Sequence, residues 1–522
     1  MKMNRGFRAY QTTAAAAAVV ALAALLPQVA NAQTKANDKW ATIVLPAEPN
    51  DIEPCHSSRA FEGRVVKYNI TETLIQKNPA DGKLIPRLAL SWEPVDATTW
   101  RFKLREGVKY HDGTPFDAAA AKAGLDRNWS KPLACGDASK FFTGLTLTIT
   151  ADNPTTLTIK TSKPDPILPM RLTGLVIPHP KTDLEKVVPA GQGPIGTGPF
   201  VFDSWPGGQQ LLLKRNENYW GKKPEIEGMR YIWRNESAVR ASMIKIGEGD
   251  IALTIAPQDA TDPATDYSYL NSETSFIRFD FDVEPTNDKR VRLAMNYALD
   301  LDALPGTILP KGAIRATQMV MPAIPGHNHD LDKKAYKYDP AKAKALLAEA
   351  KASGVNIGKE MTFVVYPAHY ANAQEVMESM HAQWTAVGLN IKMIFVEPGQ
   401  YQEFNNKPYK EGRNSILQQS SHDNNFGDPV FSVSFKYGCE GATAAMCDKK
   451  FDAEVERVSA LGGEERVKGW QEVFRYLYED AVASVMMFHQ VGFTRVSPRV
   501  DFKPDVTTNA EVRGEEIHFT KK

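Results

Sequence analysis

The chain has 522 residues, in which 62 lysine and arginine residues balance 62 acidic ones, so the formal net charge is zero. This balance argues against a nucleic-acid or anionic-membrane surface as the main partner. We therefore expect no nucleic-acid partner.

The first 32 residues show the three parts of a secretory signal peptide. Three basic residues precede an apolar run at 14–26, and residues 30–32, ANA, form a small-residue cleavage site. An anchor helix is the alternative, but the run is shorter than the roughly 20 residues that a membrane span needs. Because this segment holds three basic and no acidic residues, cleavage would leave 490 residues with a net charge of −3. We expect an exported protein of about three domain-sized units.

Four cysteines lie beyond this segment: Cys55, Cys135, Cys439 and Cys447. An even number in an exported chain favours disulfides over free thiols. Cys439 and Cys447 close a short loop and form the first predicted pair, and Cys55–Cys135 follows by elimination. A metal site is the alternative, but neither Cys-x-x-Cys nor clustered histidine accompanies these cysteines.

Short strands dominate the first half of the chain. Strand patterns occur in TWRFKLREGV near residue 100, in LTLTIT and TLTIK near residue 150, and in QQLLLKRN near residue 210. The segment TADNPTT between the second and third is typical of a turn and predicts a hairpin.

The second half alternates strands and helices. Segments 361–366 and 389–396 have strand patterns, and between them Val376, Met380 and Trp384 recur at helical spacing before Gly388. This order predicts a βαβ unit with parallel strands, and mixed α/β as the fold class. Another helix is predicted from its cap at Asp339 to Gly354. Two core-facing helical stripes are predicted further on: Phe451, Val455 and Val458, then Val467, Trp470, Phe474, Leu477 and Ala481.

The stretch AGQGPIGTGPF contains the G-x-G-x-x-G spacing of a dinucleotide-binding loop at Gly191, Gly193 and Gly196. Such a loop needs a buried strand before it and a helix after it. Here the preceding TDLEKVVPA is not a buried strand, a strand pattern follows, and Pro194 lacks an amide for phosphate. We interpret the motif as a turn that leads into a strand.

Other catalytic signatures do not stand out. The sequence contains no G-x-S-x-G elbow, no H-E-x-x-H pair and no P-loop. His327 and His329 could contact a metal, but their spacing fixes no third ligand, and a solvated loop is the favoured interpretation. His111 and Asp112 lie in a predicted turn. We predict no catalytic residue, no metal site and no cofactor.

Several long segments, taken in order, resemble the family 5 extracellular solute-binding proteins. These are periplasmic dipeptide-, oligopeptide- and nickel-binding receptors of ABC importers. The resemblance lies in residues 84–121, in GPIGTGPFVFDSWPGG with LKRNENYWGKKPEIEGMRYI, in DKRVRLAMNYALDLDAL, in YDPAKAKALLAEA, and in FGDPVFSVSFKYGCEG with CDKKFDAEVERV. It implies a two-lobed periplasmic binding protein fold (type II, cluster C-like) with an extra β-rich subdomain in the first lobe. It also implies a membrane permease as partner.

The resemblance implies the following division of the chain: signal peptide 1–32, first lobe 33–69, β-rich insertion 70–184, first lobe 185–280, second lobe 281–488, and first lobe again 489–522. The chain would cross between the lobes near 276–281 and 487–493. We expect a monomer.

In peptide-binding relatives, an aspartate before the D-P loop holds the α-ammonium of the ligand. This chain reads QQSSHDNNFGDP, so the position falls on Asn425, or on Asp423 if the loop is longer here. Ser420 or Ser421 stands in place of the relatives' tryptophan, which argues against a simple dipeptide. A solvated acid or an Asx turn is the alternative for Asp423.

Three further residues are ligand-binding candidates. His422 could contact a metal chelate or an anion, or be exposed to solvent. Arg59 could form a bidentate pair with a ligand carboxylate, with a surface salt bridge as the alternative. Arg413 opens the strand that leads to the D-P loop and could also reach the ligand.

Two classes of function follow. The favoured one is a transport receptor for a peptide or a peptide-like polar solute, such as an opine or a modified amino acid, with a nickel- or metal-chelate receptor as a variant. The other is a secreted hydrolase or chaperone on the same scaffold.

Overall fold

A computed structural model of the chain describes residues 39–520, apart from residues 134, 143, 207, 368, 371 and 425. The predicted signal peptide and Asn425 lie outside these described residues. No helix within them is long and apolar enough to cross a membrane.

Short strands and helices alternate along the described chain. The strands, numbered in chain order, are β1 (Trp40–Leu45), β2 (Glu72–Thr73), β3 (Ile75–Lys77), β4 (Leu84–Pro86), β5 (Ala89–Pro94), β6 (Thr99–Leu104), β7 (Leu147–Asn153), β8 (Thr156–Thr161), β9 (Val176–Ile177), β10 (Phe200–Ser204), β11 (Leu211–Arg215), β12 (Gly228–Trp233), β13 (Ile251–Ala252), β14 (Asp266–Arg278), β15 (Ile314–Arg315), β16 (Met361–Val365), β17 (Ile391–Phe395), β18 (Ser415–Asp423), β19 (Ser484–Val496), β20 (Val500–Asp501) and β21 (His518–Phe519). The α-helices are α1 (Ala60–Val66), α2 (Ala118–Asp126), α3 (Gly136–Phe141), α4 (Leu168–Arg171), α5 (Ser237–Lys245), α6 (Lys289–Tyr297), α7 (His329–Asp332), α8 (Pro340–Ala352), α9 (Ala373–Ala386), α10 (Pro398–Asn405), α11 (Pro429–Tyr437), α12 (Lys449–Ser459) and α13 (Gly463–Arg475). Short 3₁₀ turns lie at Pro54–His56, Arg127–Trp129, Leu172–Gly174 and Gly514–Glu516, and a π-helical turn at Tyr476–Asp480.

One large mixed sheet runs through the molecule. Its strand order is β10-β11-β12-β1-β13-β19-β14-β18-β16-β17, and β15 pairs with β19. At one end β1 is parallel to β12 and β13, and at the other end β16 is parallel to β17 and β18. The long strands β14 and β19 are antiparallel to each other and join the two ends.

The pairing of β14 with β19 is interrupted at one point. Leu270 lies opposite Val491 and Thr274 lies opposite His489, so β14 has extra residues between them. Ser272, within this irregularity, has a φ of 66°, in the left-handed region that non-glycine residues rarely adopt. On one side of it β19 also pairs with β13, and on the other side β14 also pairs with β18.

Four large groups of buried side chains pack against these sheets. The first core surrounds Ile43 and Met229 on the β10–β13 end of the large sheet. The insertion core surrounds Phe102, on the separate antiparallel sheet β5-β6-β8-β7. The other two groups, around Trp384 and around Trp470, lie on the β14–β18 end and its helices and are together called the second core. The predicted β-rich first half and α/β second half are both present.

The predicted βαβ unit is confirmed in the second half. Strands β16 and β17 are parallel and flank α9, and Gly388 follows the helix with a φ of 98°. The side chain of Asp339 accepts the Lys342 amide at the start of α8, as an N-cap does. The stripe residues predicted on α12, α13 and the turn after it are buried, except that Val467 is only partly buried.

The glycine motif forms a turn that leads into β10, as predicted, and no helix follows it. The backbone packs tightly here, because a Cβ on Gly196 would lie 2.0 Å from the Ile70 carbonyl oxygen. The His111 imidazole supports the same turn through its contact with the Gly198 carbonyl oxygen at 3.0 Å, and burial lowers the His111 pKa to about 4. Gly196 and His111 therefore serve packing, whereas Gly191 has open space around it.

Both predicted disulfides are present. Cys55–Cys135 joins the 3₁₀ turn before α1 to the start of α3, with 80 residues of sequence separation. Cys439–Cys447 closes the loop after α11.

Candidate functional site

A polar cavity lies where the first core, the insertion core and the D-P loop meet. The volume that the centre of a water molecule can occupy in this cavity is about 30 Å³. Its lining residues come from the loops on either side of α1, from β3 and α3, from the 3₁₀ turn at Leu172–Gly174, from the loop after β18, and from the C-terminal segment. They are Ser57, Ser58, Lys67, Tyr68, Lys77, Lys140, Phe141, Thr173, Gly174, Phe426, Thr507, Ala510, Glu511 and Arg513.

Asp423 ends β18 beside this cavity. One of its carboxylate oxygens lies 3.2 Å from Lys140 Nζ, and the other accepts a hydrogen bond from Ser272 Oγ at 3.1 Å. Lys140 lines the cavity and belongs to α3, whereas Ser272 belongs to the irregular turn of β14. Asp423 therefore lies where the second-core end of the large sheet meets the insertion core.

Glu273 is the second carboxylate of this region. It pairs directly opposite Asp423 in the β14–β18 ladder, so the two side chains share one face of the sheet. Burial raises the pKa of Glu273 to about 7, and the negative charge of Asp423 adds to this effect. A cationic group between the two carboxylates would relieve their repulsion.

Four basic side chains line the cavity. Burial lowers the pKa of Lys77 to about 8. Lys67 and Arg513 both pair with Glu511 at 2.7 Å. Although burial alone would raise the pKa of Glu511, these two cations lower it to about 2. The fourth cation is Lys140, so the lining carries more positive than negative groups.

His422 points away from its neighbour Asp423, because successive strand residues face opposite sides of a sheet. Its ring is buried and lies 5.2 Å from the ring of Phe431 on α11. Burial, aided by the charge of Lys436, lowers the His422 pKa to about 3, so the imidazole is neutral. Its Nε2 meets no hydrogen-bond partner within the described structure.

The two candidate arginines lie in other surroundings. Arg59 is half exposed and contacts Asp51 at 3.5 Å, which matches the salt-bridge alternative. Arg413 forms a bidentate pair with Asp280 at 2.8 and 2.9 Å. It lies about ten residues before Asp423, which corresponds to roughly 30 Å along an extended chain. Neither arginine lines the cavity, so neither enters the proposed site.

Sequence reasoning missed most of the cavity. Glu273 is separated from Asp423 by 150 residues, and only the pairing register of β14 and β18 brings them together. Lys77, Glu511 and Arg513 come from short elements without a motif of their own. Glu511 and Arg513 are two residues apart and contact each other, so their spacing was the available local signal for this charged pair.

The D-P loop itself is structural. Asp428 caps α11 by accepting the Val430 amide, and it forms a buried bidentate pair with Arg466 at 2.9 and 2.7 Å. This pair fixes the start of α11 and the end of the loop that carries Phe426 into the cavity.

A serine–histidine pair also lies on the second-core side. His369 Nε2 is 2.7 Å from Ser421 Oγ. In hydrolase triads a carboxylate holds the other ring nitrogen. Among the described residues, the Nδ1 of His369 has no hydrogen-bond partner. The geometry therefore does not form a triad.

Comparison with known proteins identifies the family. Residues 83–443 match the bacterial extracellular solute-binding proteins, family 5 Middle. The chain belongs to this family. Family 5 proteins are substrate-binding receptors rather than enzymes, and they work with ABC transporter permeases.

Three relatives show the extent of the similarity. The dipeptide-binding protein of Escherichia coli (strain K12) is 25% identical over 479 residues, which cover 85% of this chain and 86% of the relative. The glutathione-binding protein GsiB of the same strain is 30% identical over 316 residues, 58% of this chain and 59% of the relative. The solved structure of DppA from Helicobacter pylori with the peptide STSA is 18% identical, with a TM-score of 0.73, and the match covers 92% of this chain and 98% of that one.

The predicted family and fold are thus confirmed. The family 5 chain has the two-lobed architecture of periplasmic binding proteins. It is a solute-binding protein of the kind that serves ABC importers.

Proposed function

We propose that this family 5 protein binds a peptide-like solute that carries both an ammonium and a carboxylate group. The solute would bind in the cavity beside Asp423 and be delivered to an ABC permease. The observation that carries this proposal is the Asp423–Glu273 carboxylate pair, which the Lys140 amine connects to a cavity lined by lysine and arginine.

The ammonium end is assigned to Asp423 and Glu273. Two carboxylates on one face of the sheet attract a cation, and the Lys140 Nζ supplies that cation at 3.2 Å from the Asp423 carboxylate. A ligand ammonium would take over the position of the Lys140 amine, and Ser272 would keep the Asp423 carboxylate in place. The proposed anchor is therefore Asp423 rather than Asn425.

The carboxylate end is assigned to Lys77 and Arg513. Both line the cavity, and the guanidinium of Arg513 is fixed by Glu511 at 2.7 Å. A ligand carboxylate would counter the excess of positive groups, and its charge would also raise the pKa of Lys77 from about 8. A zwitterionic or anionic peptide-like solute satisfies both ends.

Ligand capture requires the two lobes to move. A cavity of about 30 Å³ is far smaller than the roughly 300–1,000 Å³ of typical ligand sites. We propose a hinge at the irregular pairing between Leu270 and Thr274, opposite residues 489–491. This is close to the predicted crossing at 487–493 and precedes the one predicted at 276–281. Ligand contacts to both lobes would favour the closed form that the permease senses.

Other expectations from the sequence remain part of the proposal. They are the removal of residues 1–32, a periplasmic location, a monomeric state and the lobe boundaries that the family resemblance implies. His422 is proposed to support the site from the opposite face of β18, through its contact with Phe431.

A thermal-shift panel tests the ligand class. The wild-type protein is screened with short peptides, with the same peptides N-acetylated or C-amidated, and with opines and a nickel–histidine chelate. We expect free peptides or opines to raise the melting temperature, because selective binding to the native state stabilises it. Blocking either terminus of an active peptide should abolish the shift.

Two variants connect the result to the site. Asp423→Asn should lose the shift from the free compound, and Lys77→Met should lose discrimination between free and amidated peptides. Lys131→Gln, at an exposed position, is the matched control. A hit that Asp423→Asn binds equally well would overturn the anchor. A shift with the nickel chelate alone would establish the metal-chelate variant instead, and conversion of the hit to a product would establish the hydrolase.

A further inference from the structure

His327, His329 and Asp332 lie together on the segment that forms α7. The side chain of Asn328 caps α7 by accepting the Asp330 and Leu331 amides, and its own amide donates to the Gln471 carbonyl oxygen at 3.0 Å. This segment is therefore held against α13. It shares no residue with the cavity of the proposed solute site.

The orientation of His327 is set by its Nδ1. This nitrogen lies 2.9 Å from the Val320 carbonyl oxygen, which can only accept, so Nδ1 carries a hydrogen and donates it. His327 is only 3% exposed, so this contact fixes both the tautomer and the orientation of the ring. Histidine ligands of metals characteristically donate their second nitrogen in this way.

The other nitrogen of His327 faces a carboxylate. Nε2 lies 2.9 Å from Asp332 Oδ2, and the amide nitrogen of Gln318 lies 3.3 Å from the same Nε2. A neutral imidazole would direct its Nε2 lone pair at the Asp332 oxygen. A proton or a metal cation at this point satisfies both groups.

Asp332 and His329 complete a set of three donors. Thr317 Oγ1 donates to Asp332 Oδ1 at 2.9 Å, which leaves Oδ2 directed at the histidines. His329 Nδ1 lies 3.7 Å from this Oδ2, and the three donor atoms all lie within 4.8 Å of one another. Zinc bonds of about 2.0–2.2 Å in a tetrahedral site place donors about 3.3 Å apart. The His329 side chain is 68% exposed and can rotate to close the remaining gap.

We propose that His327, His329 and Asp332 bind one Zn²⁺ ion, with a fourth position open to water. Two imidazoles and one carboxylate suit zinc, whereas magnesium and calcium prefer oxygen donors. The site lies beside the strands that join the lobes, because the ring of His489 on β19 is 6.2 Å from that of His327.

Metal titration of the full chain, purified without a histidine tag and stripped with a chelator, tests this site. We expect isothermal titration calorimetry to show one Zn²⁺ per chain, and Co²⁺ to give the visible absorption of a four-coordinate ion. His329→Ala should weaken Zn²⁺ binding at least tenfold and remove the cobalt spectrum. Because His329 is exposed, this variant should keep the metal-free melting temperature of the wild type.

His518→Ala is the matched control. His518 is a partly exposed histidine beside a carboxylate, 3.2 Å from Glu225, and its replacement should leave Zn²⁺ binding unchanged. The proposal is overturned if the wild type binds no Zn²⁺, or if His329→Ala and the wild type bind it equally. Loss of binding in Asp332→Asn, with the cobalt spectrum lost in parallel, would confirm the third ligand.

Discussion

Replacement of Glu273 by glutamine should change how stability depends on pH. In the unfolded chain this carboxyl has its ordinary pKa of 4.5, and in the folded protein burial and the charge of Asp423 raise the pKa to about 7. At a pH between 4.5 and about 7, the folded protein therefore binds this proton more tightly than the unfolded chain does. The stability from this difference is therefore fully present at low pH, and it is lost as the pH rises toward about 7.

The size of the effect follows from the two pKa values. At about 1.4 kcal/mol for each pKa unit, a difference of about 2.5 units corresponds to about 3.5 kcal/mol. This figure is an upper value, because Glu273 is only partly buried and solvent screens its charge. Glu273→Gln removes the ionisation, so relative to wild type it should gain up to this amount at about pH 8, and almost nothing at about pH 4.

Urea unfolding of the ligand-free protein at several pH values measures this effect, with tryptophan fluorescence as the signal. Glu248→Gln, at an exposed position, is the matched control and should follow the wild-type profile. Parallel profiles for Glu273→Gln and wild type would refute the raised pKa. They would also remove the electrostatic reason for a cationic ligand group at this point.

Two further predictions concern the scaffold. Gly196→Ala should destabilise the protein by about 1–3 kcal/mol, because the new Cβ would meet the Ile70 carbonyl oxygen at 2.0 Å. Gly191→Ala is the control, because this glycine has open space around it, and it should have little effect in the same urea titrations. Asp428→Asn should keep the cap of α11 but leave the Arg466 guanidinium buried without its carboxylate, which should lower the free energy of unfolding by about 3–5 kcal/mol. An unchanged unfolding midpoint in urea would contradict this prediction.

Local features of the fold could be predicted from the sequence. The βαβ unit around α9 and the cap at Asp339 depend on residues within one or two helical turns of each other. The glycine turn could be interpreted correctly because the segments on both sides of it are short and their patterns are clear. The disulfides followed from the number of cysteines.

The site could be predicted only in part, because its groups meet through tertiary pairing. Asp423 was found through the resemblance, but Glu273 is brought opposite it only by the pairing register of β14 with β18. Arg413 pairs with Asp280, 133 residues away, and no local pattern indicates this contact. Asp332 differs from these, because its spacing of three residues from His329 places both on one face of a helical turn. That spacing was the available signal for a third metal donor.

Identification of the solute that the protein carries would test the central claim most directly. The chain is purified from the periplasm of an expressing bacterium without denaturation, then unfolded, and the released small molecules are analysed by mass spectrometry beside those from Asp423→Asn. We predict one solute with an ammonium and a carboxylate group, near one equivalent per wild-type chain, and much less from the variant. An equal yield from Asp423→Asn, or a solute without a cationic nitrogen, would contradict the account.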